Sequence, residues 1–304
     1  MKAFLIICSH EANVWKVGCN KFMIYAITYS DINYRRAAKL NVQMAKKYGA
    51  DFTKRYSKRD LSSEFKKKNK EILSAKRGAG YWIWKPYIIL EQLSIVNDGD
   101  YVIYSDAGTA FVRPIAELID CMEKTKQSVM CFQLGKSLIE KEWSKRDALV
   151  LMDCDKEEII NSPQIQGGVV VIKKDNTSIN LVTEWLRYCE DIRIVSDCGN
   201  VLGNENYDGF KENRHDQTVW SLLCKKHGLL PFRSPLTEDG EEYNDEVRKR
   251  SNYPVVLDWH HMGYMRWEWQ LNSKWYRTTY RTIRSEIEKE CKKFIKSIIT
   301  VIKK

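Results

Sequence analysis

Apolar and polar positions along this chain fall into blocks that switch between two periods. FMIYAITYS, residues 22–30, is a continuous apolar run closed by polar residues, the pattern of a buried strand. NYRRAAKLNVQMAKKYG then sets Ala37, Leu40, Val42, Met44 and Ala45 at mostly helical spacing and stops at Gly49. ADFTKRY predicts a second short strand. SSEFKKKNKEILSAKRG predicts a charged helix with Ser63 as its cap and Gly78 as its stop. An aromatic helix, GYWIWKPYIILEQL, leads to a strand, YVIYSD, and a helix follows around IAELIDCMEKT after Pro114. Strand SVMCFQL, helical SLIEKEWSKRDALVLM, strand GGVVVIKK and helices SINLVTEWLRYCEDI and HDQTVWSLLCKKHG complete the series.

Strands that alternate with helices predict an α/β fold, a mostly parallel sheet flanked by helices. In such sheets ligands sit beyond the carboxyl ends of the strands. That rule points to Thr28–Asp31 and to Ser105–Gly108. Neither an internal repeat nor a Pro/Gly/Ser-rich linker breaks the chain, so one domain over residues 1–275 and a tail over 276–304 is the simplest division.

Composition narrows the class. The 304 residues are 43% hydrophobic and 12% aromatic, enough for a sizeable core. A net charge of +10 favours anionic partners without choosing among nucleic acid, lipid and phosphorylated small molecules. The positive residues are spread over many helices and no nucleic-acid motif accompanies them, so no specific nucleic acid is expected. Nine cysteines without a CxxC pair read as reduced, mostly buried thiols of a cytoplasmic protein. The opening MKAFLIICSHEANVW reads as a first strand or an ordered arm rather than a cleaved leader, and no stretch reaches spanning length.

Five stretches carry candidate chemistry. In VIYSDAG, Asp106 ends an apolar strand, where a carboxylate can hold a divalent cation against two phosphates or simply cap a turn. Lys85 sits beside Pro86 in a first helical turn, suited to an anion or to snorkelling, and Trp82 and Trp84 shelter that site or fill the core. In QIQGGVVVI, Gly167 and Gly168 permit close approach of a ligand or mark a bulge. His215, Asp216 and Gln217 open a helix, three hydrogen-bonding side chains where an N-cap needs one. LDWHHMG pairs His260 with His261, of which adjacent strand geometry lets one enter a site.

The order of these stretches resembles the GT-A fold nucleotide-sugar glycosyltransferases, closest to the retaining bacterial galactosyltransferases of family 8. SDINY, with Asp31, Asn33 and Tyr34, is similar to the stretch that holds the nucleotide in that family. YWIWKPYIILEQL with Lys85 is similar to its basic helix near the diphosphate, and VIYSDAGTAFVRPIAELI to its metal strand. QIQGGVVVI and HDQTVWSLL resemble its glycine strand and its aspartate–glutamine helix start. The latter also resembles the His-Asp-Glu helix of blood-group-type transferases. The likeness spans residues 22–263 through short motifs only, and it departs at Gly108, where the family has its second metal-binding aspartate.

The resemblance implies transfer of a sugar, with a UDP-sugar as the expected donor, to a saccharide or lipid-linked acceptor in surface polysaccharide or lipopolysaccharide synthesis. It implies Asp216 and Gln217 as catalytic residues, and donor contacts from Thr28, Tyr29, Asp31, Lys85, Asp106, Gly167 and Gly168. His215 and Trp84 would meet the acceptor. A Mn2+ or Mg2+ ion would be held by Asp106 with His260 or His261, or else Lys85 and other cations would neutralise the diphosphate. A transferase-like chain without catalysis, or a polyanion binder, is the alternative. In the tail, Ile283, Ile287, Cys291, Phe294, Ile295, Ile298, Ile299 and Ile302 make one apolar stripe flanked by lysines. That predicts an amphipathic helix lying on the anionic inner face of a membrane, or one packed on the domain or another subunit.

Overall fold

The computed structural model describes residues 22–236 and 242–260. His261, the opening stretch with Cys8 and Cys19, and the whole tail with its apolar stripe and Cys291 lie outside the described residues.

The central sheet has five strands: β1 (Ile24–Tyr29), β2 (Phe52–Tyr56), β3 (Tyr101–Ser105), β5 (Val129–Met130) and β7 (Val169–Lys173). Their order is β2-β1-β3-β7-β5. β1 runs parallel to β2 and to β3, while β7 is antiparallel to both β3 and β5. The sheet is therefore mostly parallel with one reversed strand. Short ribbons join β4 (Thr109–Phe111) to β9 (Leu257–Trp259) and β6 (Phe132–Gln133) to β8 (Phe232–Arg233). The expected strand SVMCFQL is thus two strands, the first in the central sheet and the second paired outside it.

Alternation along the strands divides the core into two layers. Ile27, Tyr29, Val102, Tyr104, Val170 and Ile172 face α2 (Trp84–Ile95), α4 (Asn176–Cys189) and α5 (Asp216–Lys226). Ile24, Ala26, Tyr101, Ile103, Val169 and Val171 face α1 (Arg35–Lys47) and α3 (Ala116–Glu123). Central strands buried on both faces need continuous apolar runs, and these are the runs visible in the sequence.

Two expected helices are each a pair of shorter ones. SSEFKKKNKEILSAKRG forms Ser63–Lys68 and Lys70–Ser74, and the cap is Ser62, whose hydroxyl accepts the Phe65 N–H at 3.0 Å. The break falls at Asn69, whose side-chain amide turns back to the Phe65 carbonyl. SLIEKEWSKRDALVLM forms Glu140–Trp143 and Arg146–Leu151, separated by an extended Ser144–Lys145. Among the described residues no helix is long and apolar enough to cross a membrane.

Candidate functional site

The carboxyl ends of β1 and β3 and the amino end of the reversed β7 lie on one edge of the sheet, and the candidate residues gather beyond that edge. Asp106 follows β3 directly, and its N–H bonds the Gly168 carbonyl at 2.8 Å. Its carboxylate accepts the Tyr104 hydroxyl through Oδ1 at 2.5 Å. At Gly168 a β-carbon would lie 3.0 Å from Asp106 Oδ2, so a side chain there would have to move that carboxylate. At Gly167 a β-carbon would stand 3.2 Å from that of Gln217 and 3.4 Å from Asp216 Oδ2. The two glycines bring the start of β7 close to Asp106 and to the start of α5.

Lys85 and Asp216 come from opposite helices, α2 and α5, and meet here. Lys85 Nζ is 2.6 Å from Asp216 Oδ2 and 3.8 Å from Asp106 Oδ1. The Lys85 and Asp216 side chains are each 4% exposed, whereas Asp106 is 35% exposed. Lys85 therefore does not snorkel. Burial works against its charge, but Asp216 and Asp106 outweigh it and hold the ammonium above its ordinary value. Burial raises the Asp216 carboxyl to about 6, with Lys85 and the Gln217 backbone N–H pulling it back. Burial and the Asp106 carboxylate together push the Tyr104 phenol well above its ordinary range, so it stays a donor to Asp106.

Asp216 opens α5 without serving as its N-cap. The Trp185 indole N–H fixes the helix start by donating to the Asp216 carbonyl at 3.0 Å. Gln217 accepts the Gly167 N–H through Oε1 at 3.0 Å, which ties α5 to the start of β7.

Around Lys85 the backbone is strained. Gly78, Ala79, Gly80, Tyr81 and Trp82 all have positive φ, at 58°, 51°, 103°, 50° and 59°. Such a left-handed turn costs roughly 1–2 kcal/mol at each residue with a β-carbon. Its compensation is aromatic packing. The buried Trp84 donates its indole N–H to the Gly78 carbonyl at 2.8 Å and stacks on Tyr29 at 3.8 Å. Tyr81 and Trp82 stack on His215 at 4.9 and 5.5 Å. His215 itself has φ 56° and donates Nδ1–H to the Val195 carbonyl at 2.8 Å. Burial lowers its basicity more than nearby Asp197 raises it. Trp84 and His215, expected at the acceptor, both lie inside the fold, 5% and 1% exposed.

Other expected residues make contacts of their own. Thr28 is fully buried and its hydroxyl has no hydrogen-bond partner among the described residues. Asp31 is exposed and accepts the N–H groups of Asn33 and Tyr34 at 2.9 and 3.1 Å, leading the chain into α1. His260 turns Nε2 to the Thr109 carbonyl at 2.8 Å, while its N–H bonds the Gly108 carbonyl at 2.7 Å. Among the described residues no three His, Cys, Asp or Glu side chains cluster as metal ligands. Asp106 still fits the way Mg2+ is commonly bound, through one or two carboxylates plus substrate phosphates and water. Its Oδ2 faces the side-chain-free Gly168, and two carboxylates against one ammonium leave the cluster one formal negative charge.

The sequence reading missed Tyr104, Asn41 and Gln164. Tyr104 had a signal, since it lies two residues before Asp106 on the same strand. Asn41 was a polar residue on the apolar stripe of α1; it donates to Ser105 Oγ at 2.8 Å and to the Thr109 carbonyl at 3.0 Å. That pins the turn carrying Asp106. The described cysteines are free; Cys198 is exposed and the other five are buried.

No family model matches this chain, and no curated protein does. Several solved structures are similar to it in outline. Mouse xyloside xylosyltransferase 1, in its apo form, is 9% identical, with 79% of this chain and 97% of that chain covered and a TM-score of 0.43. The galactosyltransferase LgtC, in complex with donor and acceptor sugar analogs, is 12% identical over 78% of this chain and 86% of that one, with a TM-score of 0.41. A glycosyltransferase involved in the glycosylation of the major capsid of PBCV-1 is 13% identical over 82% and 98%, with a TM-score of 0.39.

Proposed function

We propose that this chain transfers a sugar from a nucleotide-diphosphate donor, a UDP-sugar, to a saccharide or lipid-linked hydroxyl. The observation that carries the reading is the convergence of Asp106, Lys85, Asp216 and Gln217 over the Gly167–Gly168 backbone at the sheet's carboxyl edge. Such an edge is where open α/β sheets bind ligands, and glycines there let a sugar or phosphate reach the main chain.

In this reading each residue has a distinct task. Asp216 and Gln217 orient the donor sugar from the start of α5. Asp106 would hold a Mg2+ or Mn2+ ion against the donor phosphates, and that ion would supply charge neutralisation for the leaving diphosphate. Lys85 is committed to the two carboxylates, so its task is to hold them in register rather than to grip phosphate. Of the expected nucleotide contacts at the end of β1, Asp31 is exposed and open to a ligand, whereas Thr28 and Tyr29 are buried and could only support it. Retention of anomeric configuration rests on the resemblance to the family 8 enzymes, and residues 1–275 as the catalytic unit rest on a sequence that no repeat or linker breaks. The basic tail, on an anionic inner membrane face, would bring the site to lipid-linked acceptors.

The test is release of nucleotide diphosphate from a panel of sugar nucleotides, with and without acceptors, by wild type and by Asp106→Ala. One donor turned over by wild type and not by the variant is the expected result. Wild-type turnover in Asp106→Ala removes the site, and thermal stabilisation by oligonucleotides but by no sugar nucleotide removes the transferase reading.

A further inference from the structure

Gln217 does not stand alone at the site but ends a buried chain of hydrogen bonds. Its Nε2 donates to Gln164 Oε1 at 3.0 Å, and Gln164 Nε2 donates to Glu140 Oε2 at 3.0 Å. Glu140 and Gln164 are both fully buried. The Glu140 carboxylate also accepts the Ser144 hydroxyl at 2.6 Å and pairs with Lys225 Nζ at 2.6 Å. Ser221 donates to Glu140 as well, because its own oxygen is occupied by the Ile165 N–H at 2.7 Å.

Both ends of this chain have a fixed polarity. At one end the Gly167 N–H, which reaches Gln217 Oε1 at 3.0 Å, can only donate. At the other end a carboxylate surrounded by an ammonium and two donating hydroxyls can only accept. The two amides between them therefore have one arrangement that satisfies every bond. Flipping Gln217 would set Nε2 against the Gly167 N–H and Oε1 against Gln164 Oε1. Flipping Gln164 would set its oxygen against Glu140 and also against the Trp143 carbonyl, which its Nε2 reaches at 3.3 Å. In a buried network each such mismatch leaves polar groups unsatisfied.

We infer that Glu140 and Gln164 are positioning residues that dictate, through this one-way chain, which atoms of Gln217 face the substrate. The remaining Nε2 hydrogen and Oε1 lone pair of Gln217 are then presented in a fixed order, as a donor and an acceptor for neighbouring hydroxyls of one sugar. The inference rests on the sugar-orienting role proposed above for Gln217. It reaches two buried side chains that touch no substrate.

A polarity-reversal cycle tests it. Gln217→Glu removes the donor facing Gln164, and Gln164 is prevented from flipping by Glu140. Adding Glu140→Gln supplies a donor at the far end, so the chain can run in reverse while the Gly167 N–H keeps an acceptor and Lys225 keeps an oxygen. The cost is a Gln164 oxygen turned toward the Trp143 carbonyl, which keeps the Thr218 hydroxyl as its donor. Urea unfolding of the four proteins should show Gln217→Glu destabilised. The double variant should recover by about tenfold in the unfolding constant relative to the sum of the singles. Additive effects overturn the inference. Gln164→Met is the second arm: turnover of UDP-glucose or UDP-galactose should fall at least about tenfold while the Kd for UDP stays within about threefold, a split that general unfolding does not produce. Unchanged turnover, or equal loss of UDP binding, overturns the positioning role. If wild type turns over no sugar nucleotide, the transferase reading fails instead, and the unfolding cycle still decides whether the chain has one polarity.

Discussion

Lys85 and Asp216 are brought from two different helices to a separation of 2.6 Å, and neither side chain has more than 4% of its surface exposed. A buried ion pair of this kind contributes little beyond a well-packed apolar pair, yet removing one partner strands the other. Lys85→Met is therefore expected to cost about 3–5 kcal/mol of stability. The double variant Lys85→Met/Asp216→Asn should recover most of that while remaining inactive. Urea unfolding of wild type and the two variants checks it; a Lys85→Met protein as stable as wild type would show that the pair is not buried in solution.

The pH dependence of activity should have an acid limb set by Asp216. Its carboxyl is raised to about 6, so it carries charge above that value and loses it below. Transfer that needs the ionised pair falls as pH drops through about 6. The limb should be missing from the residual activity of Asp216→Asn. Stability moves the other way. A carboxyl raised in the folded state adds stability that is full below its unfolded value and lost as pH rises through the folded one. Wild type should thus gain on Asp216→Asn between pH 7 and pH 4, as read by unfolding at each pH.

Asp106 is the open carboxylate of the cluster, and its expected behaviour with metal is specific. Mg2+ should strengthen UDP binding to wild type, because an ion held by Asp106 would supply positive charge to the diphosphate. In Asp106→Asn the Mg2+ enhancement should largely vanish, with UDP binding in the absence of metal little changed. Calorimetric titration with and without chelator separates the two, and equal Mg2+ enhancement in both proteins would place the ion elsewhere.

The fold was legible wherever an apolar run had to be buried on both faces. β1, β3 and β7 were readable because central strands admit few polar residues, and α4 and α5 because their buried stripes are long. Of the candidate site, the sequence marked Asp106, Asp216, Gln217 and the two glycines, each of which breaks a pattern at an element's end, and the structure brings these together. What the sequence hid was partnership. Lys85 looked like a free cation at a helix start because its two carboxylates arrive from 21 and 131 residues away, at Asp106 and Asp216. Trp84 looked like a binding surface because stacking on Tyr29 needs the third dimension. The break at Asn69 was hidden by strong helix formers on either side, and a side-chain bond to the Phe65 carbonyl accompanies it. Gln164 lay in a quoted motif, but its role depends on Glu140 in a segment with no catalytic appearance.

The left-handed turn before Lys85 gives a last prediction, because removing a β-carbon at one of its residues and adding one at the next should have opposite consequences. Ala79 is exposed with φ 51°, a conformation glycine adopts without the clash of a β-carbon. Ala79→Gly relieves about 1 kcal/mol or more of strain against a loss of roughly 0.4–1 kcal/mol from the freer unfolded chain. It should leave stability unchanged or slightly raised, where a glycine placed in an ordinary helix would lower it. Gly80 has φ 103°, and a β-carbon there would stand 2.9 Å from the Leu73 Cα. Gly80→Ala therefore adds strain and a backbone contact that no rotamer relieves, and it should destabilise by several kcal/mol, on the order of the larger single-site losses. The turn also sets where α2 begins, so Gly80→Ala should displace Lys85 from Asp216 and lower transfer in the fraction that folds. Thermal unfolding of both variants is the measurement. A destabilised Ala79→Gly beside a tolerated Gly80→Ala would mean that the turn is right-handed in solution and that Lys85 is held by some other means.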